Sequence, residues 1–175
     1  MVKLEPIREP GTKAPRPKDA ATLIIYRFTQ NDIEVLMGQR HKKHKFLPQR
    51  YVFPGGRVEV QDSRVRTATS LRPDVEELLT RSTTPARARA LAAAAVRETF
   101  EETGLTIGKP DTLPEARVPK NWRKFFENGV APSFEHLNYI ARAVTPHWRP
   151  IRFNARFFMI AHQYVSGELG GDGEL

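Results

Sequence analysis

Between Leu91 and Leu105 the chain reads LAAAAVRETFEETGL. At about 100° per residue on a helix, Glu98, Glu101 and Glu102 lie within a turn of one another and point to one side, while Ala93, Val96 and Phe100 turn toward a core. Arg97 precedes Glu101 by four residues, a spacing at which the two pair along a helix. Unpartnered acids one turn apart repel, at a cost of roughly a few tenths of a kcal/mol. A hard divalent cation removes that repulsion: magnesium takes carboxylate oxygens, keeps several waters and is often shared with substrate phosphates. The plain alternative is a solvated acidic face with Arg97 as its counterion.

The elements that must hold these acids are legible around them. Thr84-Pro85 supplies an N-cap and a first-turn proline, and Gly104 a residue that can take φ > 0 and end a helix, so the pattern predicts a helix over 85–103. Upstream, residues 51–53 form a short strand running into Pro54-Gly55-Gly56, where two glycines let the backbone approach a ligand closely. Residues 21–28 (ATLIIYRF) read as a strand, 29–32 as a turn and 33–38 as the partner strand of a hairpin. A short helix is expected over 73–79, one or two helical turns over 121–128 ended by Gly129, and strands over 134–144 and 155–165. Residues 1–20, with four prolines among basic residues, read as an extended arm whose Arg8, Lys13, Arg16 and Lys18 are solvated. Strands alternating with one long helix suggest a mixed sheet covered by helices.

Composition narrows the class. The 175 residues suffice for one domain with a core, and 39% hydrophobic content marks a globular chain. The absence of cysteine excludes thiolate metal sites and fits a reducing compartment. No apolar run is long enough to span a membrane and the N-terminus does not resemble a secretory signal, so a cytoplasmic protein is expected. The formal net charge of +8 suits either nucleic-acid phosphates or a small phosphorylated ligand. The most basic run, residues 40–50 (RHKKHKFLPQR), is either a solvated loop or a phosphate-attracting rim, with His41 and His44 part of that surface.

The stretches FPGG (53–56) and RETFEETGL (97–105) together resemble the signature of the Nudix hydrolase family, G-x5-E-x7-R-E-U-x-E-E-x-G-U, where U is a bulky aliphatic residue. The second half matches at every polar position, with Thr99 in place of U. The first half is interrupted: Gly56 to Arg97 spans 41 positions against 14 in the pattern, so 27 extra residues intervene. This insertion, at about 60–84, is expected to bulge out between strand and helix. Asp62 stands at the offset of the first box glutamate, with Glu59 and Glu77 as competitors. Residues 36–56 also resemble the upstream motif of the coenzyme A diphosphatase subgroup, although Gln49 replaces its glycine and His41 its small residue.

The resemblance implies an α/β/α sandwich with a mixed sheet over 21–175, with the C-terminal strand and helix of the family either missing or replaced by a second subunit in a homodimer. It implies hydrolysis of a pyrophosphate linkage in a nucleoside diphosphate joined to another group, with Mg²⁺ or Mn²⁺ held by Glu98, Glu101 and Glu102 and by the Gly56 carbonyl. Arg97 is expected to orient Glu101 rather than touch substrate. Arg40, Lys42, Lys45 and Arg57 are the candidates for substrate contacts. The general base is a box glutamate or one of the late acids Glu168, Asp172 and Glu174. The competing class is a non-catalytic nucleotide- or nucleic-acid-binding protein, which the net charge favours and the clustered acids oppose.

Overall fold

The computed structural model describes residues 7–9, 11–40, 49–111 and 118–171. Strand β1 (Lys18–Phe28) alternates as its sequence does: Ala21, Leu23 and Ile25 are buried, and Thr22, Ile24 and Tyr26 lie half-buried on the other face. The Thr29 N–H bonds the Asp32 carbonyl at 2.9 Å and turns the chain into β2 (Ile33–Val35), antiparallel to the end of β1. The expected second hairpin strand stops at Val35. Its continuation forms β3 (Gly38–Gln39), which pairs with β4 (Tyr51–Val52) instead. Strand β5 (Gly55–Arg57) then pairs antiparallel with Ala20–Thr22, on the same edge of β1 that β2 uses further along.

Helices α1 (Pro73–Thr80) and α2 (Pro85–Thr103) follow, and α2 has the bounds its caps predict. Thr84 Oγ1 accepts from the Arg87 N–H at 3.2 Å, and Gly104 closes the helix at φ 76°. Next come β6 (Gly108–Pro110), the short α3 (Arg123–Phe126) and β7 (Val130–Pro132), which pairs antiparallel with β6. Strands β8 (Asn138–Val144) and β9 (Phe153–Ala161) complete the main sheet, ordered β2-β1-β9-β8 with β5 joined to β1. β9 runs parallel to β1 and antiparallel to β8, so the sheet is mixed. Among the described residues no helix is long and apolar enough to cross a membrane.

The alanine run makes α2 the centre of the core. Ala88 and every residue from Ala90 to Val96 have no exposed surface, so this part of the helix is enclosed on all sides rather than facing one layer. What encloses the far side is the inserted segment. It does not bulge out, as its length suggested. Val65, Leu71, Val75 and Leu79 belong to the same core cluster as Leu23, Ile25, Phe158 and Ile160. The Ala68 N–H bonds the Pro132 carbonyl at 2.8 Å, and Thr69 Oγ1 accepts from the Phe134 N–H at 2.9 Å. Those bonds explain why the strand expected from residue 134 begins only at Asn138: the backbone of Phe134 and Glu135 is satisfied by Thr69, not by a neighbouring strand.

Because the insertion is core, Leu79→Ala should destabilise the protein by about 2–5 kcal/mol. Denaturant unfolding checks this, and a loss below about 1 kcal/mol would show that the segment is ancillary.

Candidate active site

The loop after β5 and the C-terminal half of α2 are locked together by one buried guanidinium. Arg97 is 3% exposed and Asp62 fully buried. Arg97 Nε donates to Asp62 Oδ1 at 2.9 Å and Nη2 to Asp62 Oδ2 at 3.2 Å. Nη2 also donates to the Arg57 carbonyl at 3.0 Å, while Nη1 reaches Glu101 at 2.8 Å and Glu98 at 2.9 Å. All five N–H donors of the side chain are thereby engaged. Burial opposes the guanidinium's charge, but the Asp62 hydrogen bonds and the fields of Glu98, Asp62 and Glu101 outweigh it and hold the group charged. Asp62 accepts two further bonds, from Trp122 Nε1 at 3.1 Å and the Glu59 N–H at 2.8 Å. Of the candidates for the first box acid, Asp62 is the one that pairs with Arg97, whereas Glu77 stands on α1 with its side chain 75% exposed, beside Arg81.

Above this brace the two glycines of β5 stand between α2 and an open cleft. The Gly55 N–H donates to Glu102 Oε2 at 2.9 Å. A Cβ on Gly56 would fall onto the Glu98 carboxyl group, so glycine at 56 is what lets Glu98 reach past the strand. The cleft, about 450 Å³, is lined by Glu98, Glu102, Gly55 and Gly56, by Arg40 and Arg57, by Thr22 and Phe153 of the sheet, and by Ile151 just before β9. Glu59 stands at its lip, exposed, accepting from Asn121 Nδ2 at 2.9 Å. The sequence offered no signal for Ile151 and Phe153, which arrive from the far end of the chain.

The predicted residues are thus divided. Glu98, Glu102, Gly56, Arg40 and Arg57 meet at the cleft. Glu101 is turned onto Arg97, and neither lines it. Among the described residues no three acid, histidine or cysteine side chains converge as a ready-made metal cage. Glu98 and Glu102 alone remain on the cleft wall, and that suits a cation of magnesium's habits, which takes one or two carboxylates and fills its shell with water and substrate phosphates. Burial raises the Glu98 carboxyl to about 7, with Arg97 pulling the other way and Glu101 and Asp62 adding to the rise. Glu101 is also raised, by burial foremost. Of the late acids, Glu168 sits where the tail crosses the end of α2, with the Gly170 N–H on the Thr103 carbonyl at 2.7 Å, and does not line the cleft. Lys42, Lys45, His41, His44, Asp172 and Glu174 lie outside the described residues. Gln49 adopts φ 60°, the left-handed conformation that favours the glycine of the subgroup motif.

Two predictions follow from the brace and its electrostatics. Asp62→Ala strands a buried guanidinium and should cost about 3–5 kcal/mol in denaturant unfolding, whereas Glu77→Ala should change stability by less than about 0.5 kcal/mol; equal effects would contradict the assignment. Because folding raises the Glu98 carboxyl, its contribution is complete below about pH 4.5 and lost as pH climbs through about 7. In chelator-treated protein, Glu98→Gln should therefore exceed wild type in stability at pH 8, by at most about 3 kcal/mol, and lose that advantage near pH 4.5. A pH-independent difference would refute the shift.

No protein-family model matches the sequence, and no curated protein does. Among solved structures, the fold is similar to that of a Nudix hydrolase from Alicyclobacillus acidocaldarius, at 28% identity over 91% of this chain and 76% of that one, with a TM-score of 0.64. Looser matches are a MutT/nudix family protein from Enterococcus faecalis (16% identity, 94% and 44% of the two chains, TM-score 0.47) and the NUDIX domain of Shewanella oneidensis NrtR complexed with ADP ribose (9%, 90% and 71%, TM-score 0.43). The last two add nothing to the argument. With RETFEETGL on α2, Asp62 bound to its arginine and the first of these folds superposing over nearly the whole chain, the protein shares the fold of Nudix hydrolases and is similar to that family in its signature helix.

Proposed function

We propose that the protein hydrolyses a phosphoanhydride bond in a nucleotide-type substrate, a nucleoside diphosphate linked to a further group, with Mg²⁺ or Mn²⁺ as cofactor. The observation that carries the reading is the wall of the cleft: two α2 carboxylates, Glu98 and Glu102, face it beside a glycine corner and two arginines. Glu98 and Glu102 would hold the cation, with the Gly56 carbonyl as a further oxygen ligand. When bound, the cation supplies charge neutralisation for the phosphates and acidifies water.

The chain's own groups account for the rest. Arg40 and Arg57 bind phosphate oxygens, for which guanidinium geometry is suited. Ile151 and Phe153 offer an apolar surface to the organic part of the substrate. Water attacks one phosphorus, the bridging P–O bond breaks, and the attacking water's proton passes to a cleft carboxylate, Glu98 or Glu59. Arg97 acts from below as a positioning residue, through Glu98, Glu101 and the Arg57 carbonyl. A cytoplasmic location agrees with the cysteine-free sequence. The subgroup motif over 36–56 makes coenzyme A one substrate to try.

The test is a panel of NADH, ADP-ribose, coenzyme A, 8-oxo-dGTP and diadenosine polyphosphates with Mg²⁺ or Mn²⁺, following released phosphate products. Glu102→Gln keeps an acceptor for the Gly55 N–H but loses the charge. It should abolish turnover, by about 100-fold or more, with unfolding unchanged within about 1 kcal/mol. Near-normal turnover would refute its role. The net charge of +8 supports the alternative, a non-catalytic nucleic-acid binder. Inactivity across the panel together with salt-dependent retention of RNA or DNA would establish that reading instead.

A further inference from the structure

The cleft does not end at Arg57. Arg57 and Glu59 form a shared wall between it and a second, broader groove of about 750 Å³. The other side of that groove is the N-terminal arm, with Arg16 and Lys18, and the first turn of α2, with Arg87. The arm, read from its prolines as extended, is tied to the sheet. Arg152 Nη1 donates to the Pro15 carbonyl at 2.9 Å, and the Lys18 N–H bonds the Arg152 carbonyl at 3.0 Å, so the backbone that carries the two cations is held along the groove.

The charges in the groove do not cancel. Its Asp19 is already spoken for: Oδ2 accepts from Arg87 Nε at 2.7 Å, and Oδ1 from Asn154 at 2.7 Å with Arg156 at 3.8 Å. Glu59 accepts from the neutral Asn121 amide and keeps its charge. Arg16, Lys18 and Arg57 are exposed, and among the described residues none has a side-chain hydrogen bond or ion pair. Four cations (Arg16, Lys18, Arg57 and Arg87) against two carboxylates (Asp19 and Glu59) leave the groove with a net positive charge beside the cleft, an anion site on the far side of Arg57.

We propose that this groove is a second anion subsite that receives phosphate groups of the substrate lying beyond the pyrophosphate under attack. The inference rests on the phosphoanhydride reading of the neighbouring cleft and narrows it to substrates with at least three phosphates. The extra phosphate has two possible sources, a longer polyphosphate bridge or a separate phosphomonoester on the nucleotide.

The decisive measurement is binding of inorganic pyrophosphate against inorganic tripolyphosphate by calorimetry at low salt, which requires no turnover. Wild type should bind tripolyphosphate about tenfold or more tightly than pyrophosphate, and Arg16→Ser/Lys18→Ser should bring that ratio close to one. The charge-matched control is Arg27→Ser/Lys109→Ser. Arg27 lies nine residues along β1 from Lys18, about 30 Å away at the rise of a strand, and Lys109 is on β6. The control should keep the wild-type ratio. Equal affinity for the two anions in wild type, or an equal loss in the control, would overturn the subsite.

The panel supplies the second arm. A higher kcat/KM for diadenosine tetraphosphate than for ADP-ribose, lost in the double variant, assigns the bridge; the same behaviour with coenzyme A assigns the phosphomonoester. Turnover of ADP-ribose with no preference for either longer substrate and no tripolyphosphate discrimination would sink the subsite and spare the hydrolase. Discrimination without any turnover would support the subsite and sink the hydrolase.

Discussion

A single guanidinium sets the geometry on which the site depends. Arg97 sits on α2 with almost no exposure, and an ion so placed has given up its hydration, a loss offset only when its donors are satisfied. Satisfying them fixes four other groups at once: the Asp62 carboxylate, the Arg57 carbonyl, Glu98 and Glu101. Asp62 in turn organises its own loop, taking bonds from Trp122 and from the Glu59 backbone. The strand carrying the glycine corner, the loop after it and the helix bearing the acids are therefore one unit. None can shift without leaving a buried charge uncompensated.

The glycines and alanines serve the same end by being small. β5 lies beside α2 at a distance that leaves no space for a Cβ at Gly56, and the Glu98 carboxyl occupies that space. Glu102, nearly buried, is held to the Gly55 N–H. The alanine run lets α2 sink between the sheet and the 60–80 segment with no exposed surface on either side. Two of the three clustered acids can face the cleft because the backbone in front of them carries no side chains. The third is drawn away because Arg97 lies one turn before it.

The inserted segment and the arm both look peripheral in the linear chain, and neither is. The insertion carries hydrophobic residues at Val65, Leu71, Val75 and Leu79 that have no other core to join. The arm is drawn into the sheet by β1, whose pairing with β9 begins at Lys18. Once anchored there, its cations border the site. Part of the protein's basic charge thus lies beside the acids.

Much of this was present in the amino-acid order itself. The bounds of α2 follow from Thr84, Pro85 and Gly104, the hairpin from alternation on either side of residues 29–32, and the chemistry from arginine and three glutamates at helical spacing. These are short-range signals, decided by neighbours within a turn or a strand pair. Tertiary structure alone decided the rest. Asp62 and Arg97 are 35 residues apart, Gly55 and Glu102 are 47, and Phe153 enters the cleft from near the other end of the chain. Whether Glu101 faces a ligand or an arginine, and whether an insertion bulges or packs, depends on which distant surfaces close over a buried charge. Local periodicity carries no record of that.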